Sequence, residues 1–237
     1  MNTVPPQPLA RQHESGRSLI ESVYRRLRVD IIQGRHAPGN RLRAEHIKEL
    51  YGASAGTVRE ALALLVADQL VEVQAQRGVC VAHMSIADIE DITRTRTLLE
   101  CATLQDAMLH GDEEWEAGIV SAYYKLSLAE AKLGPRKPEL FAEWEHRNQE
   151  FHEALVAACS SRWLLRLRAL LYQHSLRYRY LSTVKGPVPE TVHEDHRRIY
   201  EAVLARDVPA ADAAMSRHIQ FSLEVIKRNA LLEPRSD

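Results

Sequence analysis

The stretch LVEVQAQRGVCVAHM, residues 70–84, divides this chain into two parts with different grammar. Two runs rich in β-branched residues, Val71–Val73 and Val79–Val81, flank a polar tip that carries Gly78. That is the pattern of a β-hairpin. Three short helical segments precede it. In SLIESVYRRLRVDIIQG, Ile20, Val23, Tyr24, Leu27 and Ile31 share one face, with Ser18 as the expected N-cap and Gly34 as the stop. HAPGNRL is a turn by its Pro-Gly step. RAEHIKELYG is a second helix closed by Gly52, and SAGTVREALALLVADQ a third, capped by Ser54 with Val58, Leu62 and Leu65 inward. Three helices and a hairpin in so short a span predict a winged helix-turn-helix.

After Met84 the periodicity is helical throughout. Six segments are expected, near 86–109, 113–133, 138–159, 161–183, 189–206 and 208–230, broken at HGDE, GPRKP, SS, KGPVP and RDVP. The predicted fold is mainly α, a winged helix-turn-helix over 18–82 and an all-α six-helix bundle over 86–232. Residues 83–85 serve as a linker and 1–17, rich in Pro, Gln and Arg, as a flexible arm. A chain of 237 residues accommodates two such domains. No apolar run is long enough to cross a membrane, and the first residues lack the apolar core of a signal peptide. The three scattered cysteines fit a reducing cytoplasm better than a disulfide framework. Net charge is −1, yet residues 1–82 carry 11 Lys and Arg against 8 Asp and Glu, whereas the rest carry 20 against 24. A mildly basic head on an acidic body is compatible with DNA binding.

The segment GASAGTVREAL has what a recognition helix needs. Small and polar residues at its start allow close approach to the major groove, and donors can reach phosphates or base edges. Ser54, Thr57 and Arg59 are the expected contacts there, Arg43 just before the second helix, and Arg77 with Gly78 at the hairpin tip. Any one of these could be an ordinary solvated residue; the ensemble of helices and wing is harder to explain that way. From TVREAL, LVEV and RGVCV together, residues 18–82 resemble the DNA-binding domain of the GntR family of bacterial transcription regulators. Members commonly have arginine after the serine of the turn, where this chain has Ala55, and glycine where it has Gln69. The missing arginine removes a guanine contact. Arg59 matches an arginine that the family uses on DNA.

In the body, HRNQEFHEAL (146–155) poses the question of a metal site. Phe141, Trp144, Phe151, Leu155 and Cys159 mark the apolar stripe of its helix, and Asn148 and His152 fall inside it, one turn apart. His146 and Glu150 lie on the other side and read as a surface pair. In VHEDHRRIYEAVLA, His196 lies among Val192, Ile199, Tyr200 and Val203, while His193 is displaced. In AADAAMSRHIQFSLEVI, His218 lies among Ala211, Ala214, Met215, Ser222 and Val225. A lone buried histidine is usually a hydrogen-bonded core residue. Three on converging helices, with one side-chain oxygen, suit a divalent transition metal of the Zn, Ni or Mn class. Arg96 is in line with Ile89, Ile92 and Leu99, so its guanidinium needs a buried anion. Either Glu100, one turn on, or a carboxylate ligand supplies it. In YQHSLRYRYLS, Tyr172, His174, Arg177, Tyr178 and Tyr180 line the same cavity or else face solvent; Arg177 and Tyr178 are counted with Arg96 as effector contacts.

NQEFHEAL, DHRRIYEAVLARD, AMSRHI and RTLLE are similar to the motifs of the FCD ligand-binding domain in the FadR-like branch of the same family, and the six-helix count resembles its VanR-like variant. That resemblance implies Asn148, His152, His196 and His218 as metal ligands and Arg96 as an effector contact. It also implies a homodimer, a near-palindromic double-stranded DNA operator, a small organic acid effector and release from DNA when the acid binds. The family is more often repressing than activating. A bundle metalloenzyme is the rival. It is disfavoured because only ETVH (190–193) fits the Glu-x-x-His pair of di-iron proteins, and HEALV has Val156 where a zinc protease needs histidine. A purely structural dimerisation bundle is the other alternative.

Overall fold

The computed structural model describes residues 10–132, 138–185 and 191–232. The chain forms two compact units, Met1–His83 and Met84–Asp237. In the first, α1 (Ala10–Ile32), α2 (Ala44–Tyr51) and α3 (Ala55–Ala67) precede the strands β1 (Val71–Gln74) and β2 (Gly78–Val81). The strands pair antiparallel, with Val71 opposite Val81 and Gln74 opposite Gly78. Residues 75–77 make the three-residue loop, and Gly78 follows it with φ 76°, the left-handed conformation that such a hairpin needs. Val23, Leu27, Ile31, Ile47, Val58, Leu62, Leu65, Val71 and Val81 fuse into one buried core. The winged helix-turn-helix expected from the period is therefore present.

One boundary differs. The first helix begins at Ala10, so Ser18 is an interior residue and not its N-cap. The segment from Ala10 to Arg17 has no apolar period to announce a helix, but Ala, Arg, Gln and Glu extend one readily once it is nucleated downstream. Residues 1–9 of the expected arm lie outside the described residues, as does most of GPRKP and KGPVP.

The departure at Gln69 acquires a physical meaning. Helix α3 closes in a Schellman arrangement: Gln69 N–H bonds to Val66 O at 2.9 Å and Leu70 N–H to Leu65 O at 3.0 Å. Gln69 is thereby held at φ 55°, a left-handed conformation that burdens any residue with a Cβ. Gln69→Gly should stabilise the head by about 1 kcal/mol. A denaturant midpoint that falls or does not move would contradict this.

The second unit consists of α4 (Ile86–His110), α5 (Glu113–Lys132), α6 (Pro138–Leu155), α7 (Arg162–Tyr180), α8 (Thr191–Leu204) and α9 (Val208–Arg228), with a π-helical turn over Leu181–Lys185. The six expected segments are all helices. The widened turn was not foreseen; it extends α7 where Ser182 Oγ bonds back to Arg179 O at 3.1 Å. Helix α4 packs against α7 and α9, α5 against α6 and α8, and α8 against α9. Ser85 caps α4, its Oγ accepting Asp88 N–H at 3.1 Å, and the Tyr178 hydroxyl accepts Ser85 N–H at 3.2 Å. The start of α4 is thus fastened to the end of α7.

Candidate DNA-facing residues and a candidate metal and ligand site

In the head, the expected contacts sit at element ends. Ser54 is the N-cap of α3: its Oγ accepts Thr57 N–H at 3.1 Å and lies 2.9 Å from Thr57 Oγ1. The serine therefore has a local task whatever it meets outside. Arg59 is exposed in the second turn of α3, Arg43 is exposed at the start of α2, and Arg77 is exposed beside Gly78 at the wing tip. No acidic residue occupies the first turn of α3, which keeps that end attractive to phosphate. Arg41, which the sequence pattern did not single out, lies over the wing: a Cβ placed on Gly78 would stand 3.8 Å from its guanidinium.

In the body, α6, α8 and α9 bring three imidazoles together. His152 and His196 are buried and His218 half-buried, and one ligand nitrogen from each lies within 4.8 Å of the others. The Nε2 atoms of His152 and His218 are 3.2 Å apart. Ligand nitrogens at about 2.1 Å from a shared ion stand roughly 3 Å apart, so the observed separation suits a common cation. Burial, followed by the neighbouring imidazoles, holds both His152 and His218 well below the usual imidazole value. Both are therefore neutral near pH 7, which is the form that coordinates metal.

Asn148 is 1% exposed, and its Nδ2 donates to Tyr172 Oη at 2.9 Å. Among the described residues its Oδ1 is buried without a hydrogen-bond partner, as are His152 Nδ1 and His196 Nε2. Orphaned buried polar atoms are costly, and a partnerless Asn148 Oδ1 and His196 Nε2 are open to a cation or water. An amide oxygen and imidazole nitrogens are suitable donors for a divalent transition metal. The residues present thus fit the metal that the sequence pattern implied. His146 and Glu150 form the expected surface pair, 3.5 Å apart on the outside of α6.

Beside the imidazoles lies a cavity bordered by Arg96, Asn148, Ser175, Arg179, Thr183 and His218. It has room for only a couple of waters, about 30 Å³. Arg96 is paired with Glu100 and also borders the cavity. It is 4% exposed, with Nε 3.2 Å from Glu100 Oε1 and Nη1 3.2 Å from Ser175 Oγ, and it also faces the cavity.

The other two expected effector contacts are placed differently from each other. Arg177 is buried but does not border the cavity; Arg179 does. Helical phase is the reason. Arg168, Tyr172, Ser175 and Arg179 follow an i, i+4, i+7, i+11 stripe on the inner face of α7, and Arg177 is off it. Tyr178 borders the cavity, but its hydroxyl is committed to Asp88 at 2.5 Å and to Ser85.

The buried charges form one network. Arg168 Nε bonds to Glu100 Oε2 at 2.7 Å, and its Nη2 to the carbonyl of His152 at 3.0 Å. Arg179 takes both oxygens of Glu145, through Nε at 3.2 Å and Nη2 at 2.5 Å. The Tyr172 hydroxyl donates to Glu145 Oε1 at 3.1 Å, so the tyrosine that holds Asn148 is itself held. Three guanidiniums, of Arg96, Arg168 and Arg179, surround the Tyr172 ring at 4.9, 5.8 and 4.1 Å. Glu145, Arg168 and Arg179 escaped sequence reasoning, although Glu145 shares the inward stripe of Asn148 and His152 at i, i+3, i+7.

Comparison with known proteins agrees with both halves. The model for bacterial regulatory proteins of the gntR family matches residues 19–81, and that for the FCD domain matches residues 91–221. The chain is 45% identical over 216 residues to the uncharacterized HTH-type transcriptional regulator BphR of Paraburkholderia xenovorans, spanning 91% of this chain and 88% of that protein. It is 35% identical over 209 residues to the HTH-type transcriptional repressor GlaR of Escherichia coli, 86% of this chain and 94% of the other. The fold matches that of E. coli McbR/YncC with TM-score 0.72 at 20% identity, over 90% and 98% of the two chains.

Proposed function

The chain belongs to the GntR family of bacterial transcription regulators, with an FCD domain as its body, and on that premise we propose that it is a metal-dependent repressor released from DNA by a small carboxylate. It is a DNA-binding transcription regulator and not an enzyme. The observation that carries the finer reading is the convergence of His152, His196 and His218, beside a cavity that Asn148 and His218 both border. These four residues would hold a divalent metal, whose role when bound is to polarise and anchor an oxygen ligand. Arg96 and Arg179, which border the same cavity, would bind and orient the rest of an anion. The cavity is too small for an organic acid until a wall moves. The π-helical turn that carries Thr183 and the face of α9 that carries Phe221 are the walls available.

Two copies acting as a homodimer would place two α3 helices in successive major grooves of a near-palindrome, with Arg43, Ser54, Thr57, Arg59, Arg77 and Gly78 as contacts. The acid shifts the balance between bound and released arrangements by its differential affinity for them. Two measurements test the reading. Elemental analysis of protein purified without chelator should find about one divalent ion per chain. Binding to DNA upstream of its own gene should exceed that to scrambled DNA by at least 10³-fold at physiological salt and weaken steeply as salt rises. Absence of metal would remove the effector site, and equal binding to scrambled DNA the operator.

A further inference from the structure

We propose that Glu130, on α5, is a positioning residue of the metal centre: it holds His196 by Nδ1 and so presents the bare Nε2 to the other two histidines. This rests on the metal reading above. Glu130 stands outside every motif that pointed to the site. Its side chain is 6% exposed, with Oε1 2.5 Å from His196 Nδ1 and Oε2 2.6 Å from His193 Nδ1.

The chemistry follows from what each group can donate. An ionised carboxylate only accepts, so the nitrogen facing each oxygen must carry the proton. For neutral His196 that leaves Nε2 as a lone pair. Nε2 is the atom that is buried with no hydrogen-bond partner, on the side of His152 and His218. The ring cannot turn away easily. It is fully buried, with Phe151 edge-on at 5.7 Å, His152 at 5.7 Å and His218 at 4.4 Å between centroids. Nor is the carboxylate free to swing, because the half-exposed His193 occupies its second oxygen. The order from solvent inward is His193, Glu130, His196, centre.

The three histidines are therefore unequal. His152 Nδ1 is buried with no hydrogen-bond partner among the described residues, so none of them fixes its tautomer from that nitrogen. His196 is preset before any metal arrives. A carboxylate behind a ligating imidazole fixes its orientation and raises its basicity, and its loss costs about 10–100-fold in metal affinity. Tyr123, seven residues before Glu130, stacks on Tyr200 of α8 at 4.2 Å, so α5 meets the ligand helix at two points along one face.

The test is a zinc competition titration against a chromophoric chelator, using the full-length protein and its Glu130→Gln and His193→Asn variants. Glu130→Gln should weaken zinc binding about 10–100-fold while the metal-free melting temperature moves by only a few degrees. His193→Asn, which leaves the carboxylate on His196, should cost less than Glu130→Gln. Two-bond ¹⁵N spectra of the metal-free wild type should show His196 as the Nδ1–H tautomer. Zinc affinity within threefold of wild type in Glu130→Gln, or an Nε2–H tautomer of His196, would overturn the proposal. The spectrum decides even if the variant fails to fold. A wild type that binds no zinc or other divalent ion would instead remove the metal reading.

Discussion

His196→Ala is expected to empty the metal centre, lowering divalent-metal affinity by about 100-fold or more. Structural zinc sites hold their ion with roughly 10–16 kcal/mol, which over four donors is about 3 kcal/mol each. His196 should exceed that share because it is the donor whose orientation is already set by Glu130. His152→Ala should follow closely. Asn148→Asp runs the other way: replacing a neutral amide by a carboxylate at the same place tightens the site. His146→Ala is the control, since His146 is 65% exposed and pairs with Glu150 at the surface. Competition titration and elemental analysis read all four. If His146→Ala and His196→Ala lost metal equally, the assignment of inner and outer histidines on these helices would be wrong.

Glu100→Ala should be among the most destabilising single changes in the body, by about 3–5 kcal/mol, because it strands buried cations. Glu100 is 0% exposed and receives Arg96 on one oxygen and Arg168 on the other. Arg168 retains Glu153 and the carbonyl of His152, whereas among the described residues Arg96 retains the hydroxyl of Ser175. Burial already pulls the Arg96 guanidinium below its ordinary value, and Glu100 is the main opposing influence. For a body of this size the change corresponds to a fall of about 10 °C in melting temperature. Glu100→Gln, which keeps one acceptor oxygen, should lose less. A loss below about 1 kcal/mol for Glu100→Ala would mean that water or a neighbouring carboxylate reaches Arg96 easily, and the argument for a ligand-binding cation there would weaken with it.

Both predictions depend on residues that differ in how visible they are in the sequence. The three histidines could be placed because each interrupts an otherwise apolar stripe, and a polar residue at a core position of a clear period is conspicuous. The head was legible for a related reason: period 3.6 gives way to period 2 at Val71, and the wing follows. Glu130, Glu145, Arg168 and Arg179 were harder. A charged residue on a helix is normally solvated, so pattern counting assigns it to the outer face even where it lies on the inner one. What reveals these residues is mutual satisfaction across helices, as between Arg168 on α7 and Glu100 on α4, and that is a property of tertiary contact. The early start of α1 and the π-helical turn after Tyr180 were invisible for another reason: neither changes which residues are apolar.

The proposed donors have a consequence for selectivity among anions. Three neutral imidazoles and one neutral amide contribute no formal charge, so a divalent ion among them would keep its full double charge. The carboxylate of Glu130 stands behind an imidazole and not against the ion. Electroneutrality of the bare pocket would therefore be incomplete, and the deficit would be met by whatever anion enters. Ligands should then be ranked first by charge: a dianion above a monoanion, and a monoanion above its neutral amide or ester, even where all three have the same shape.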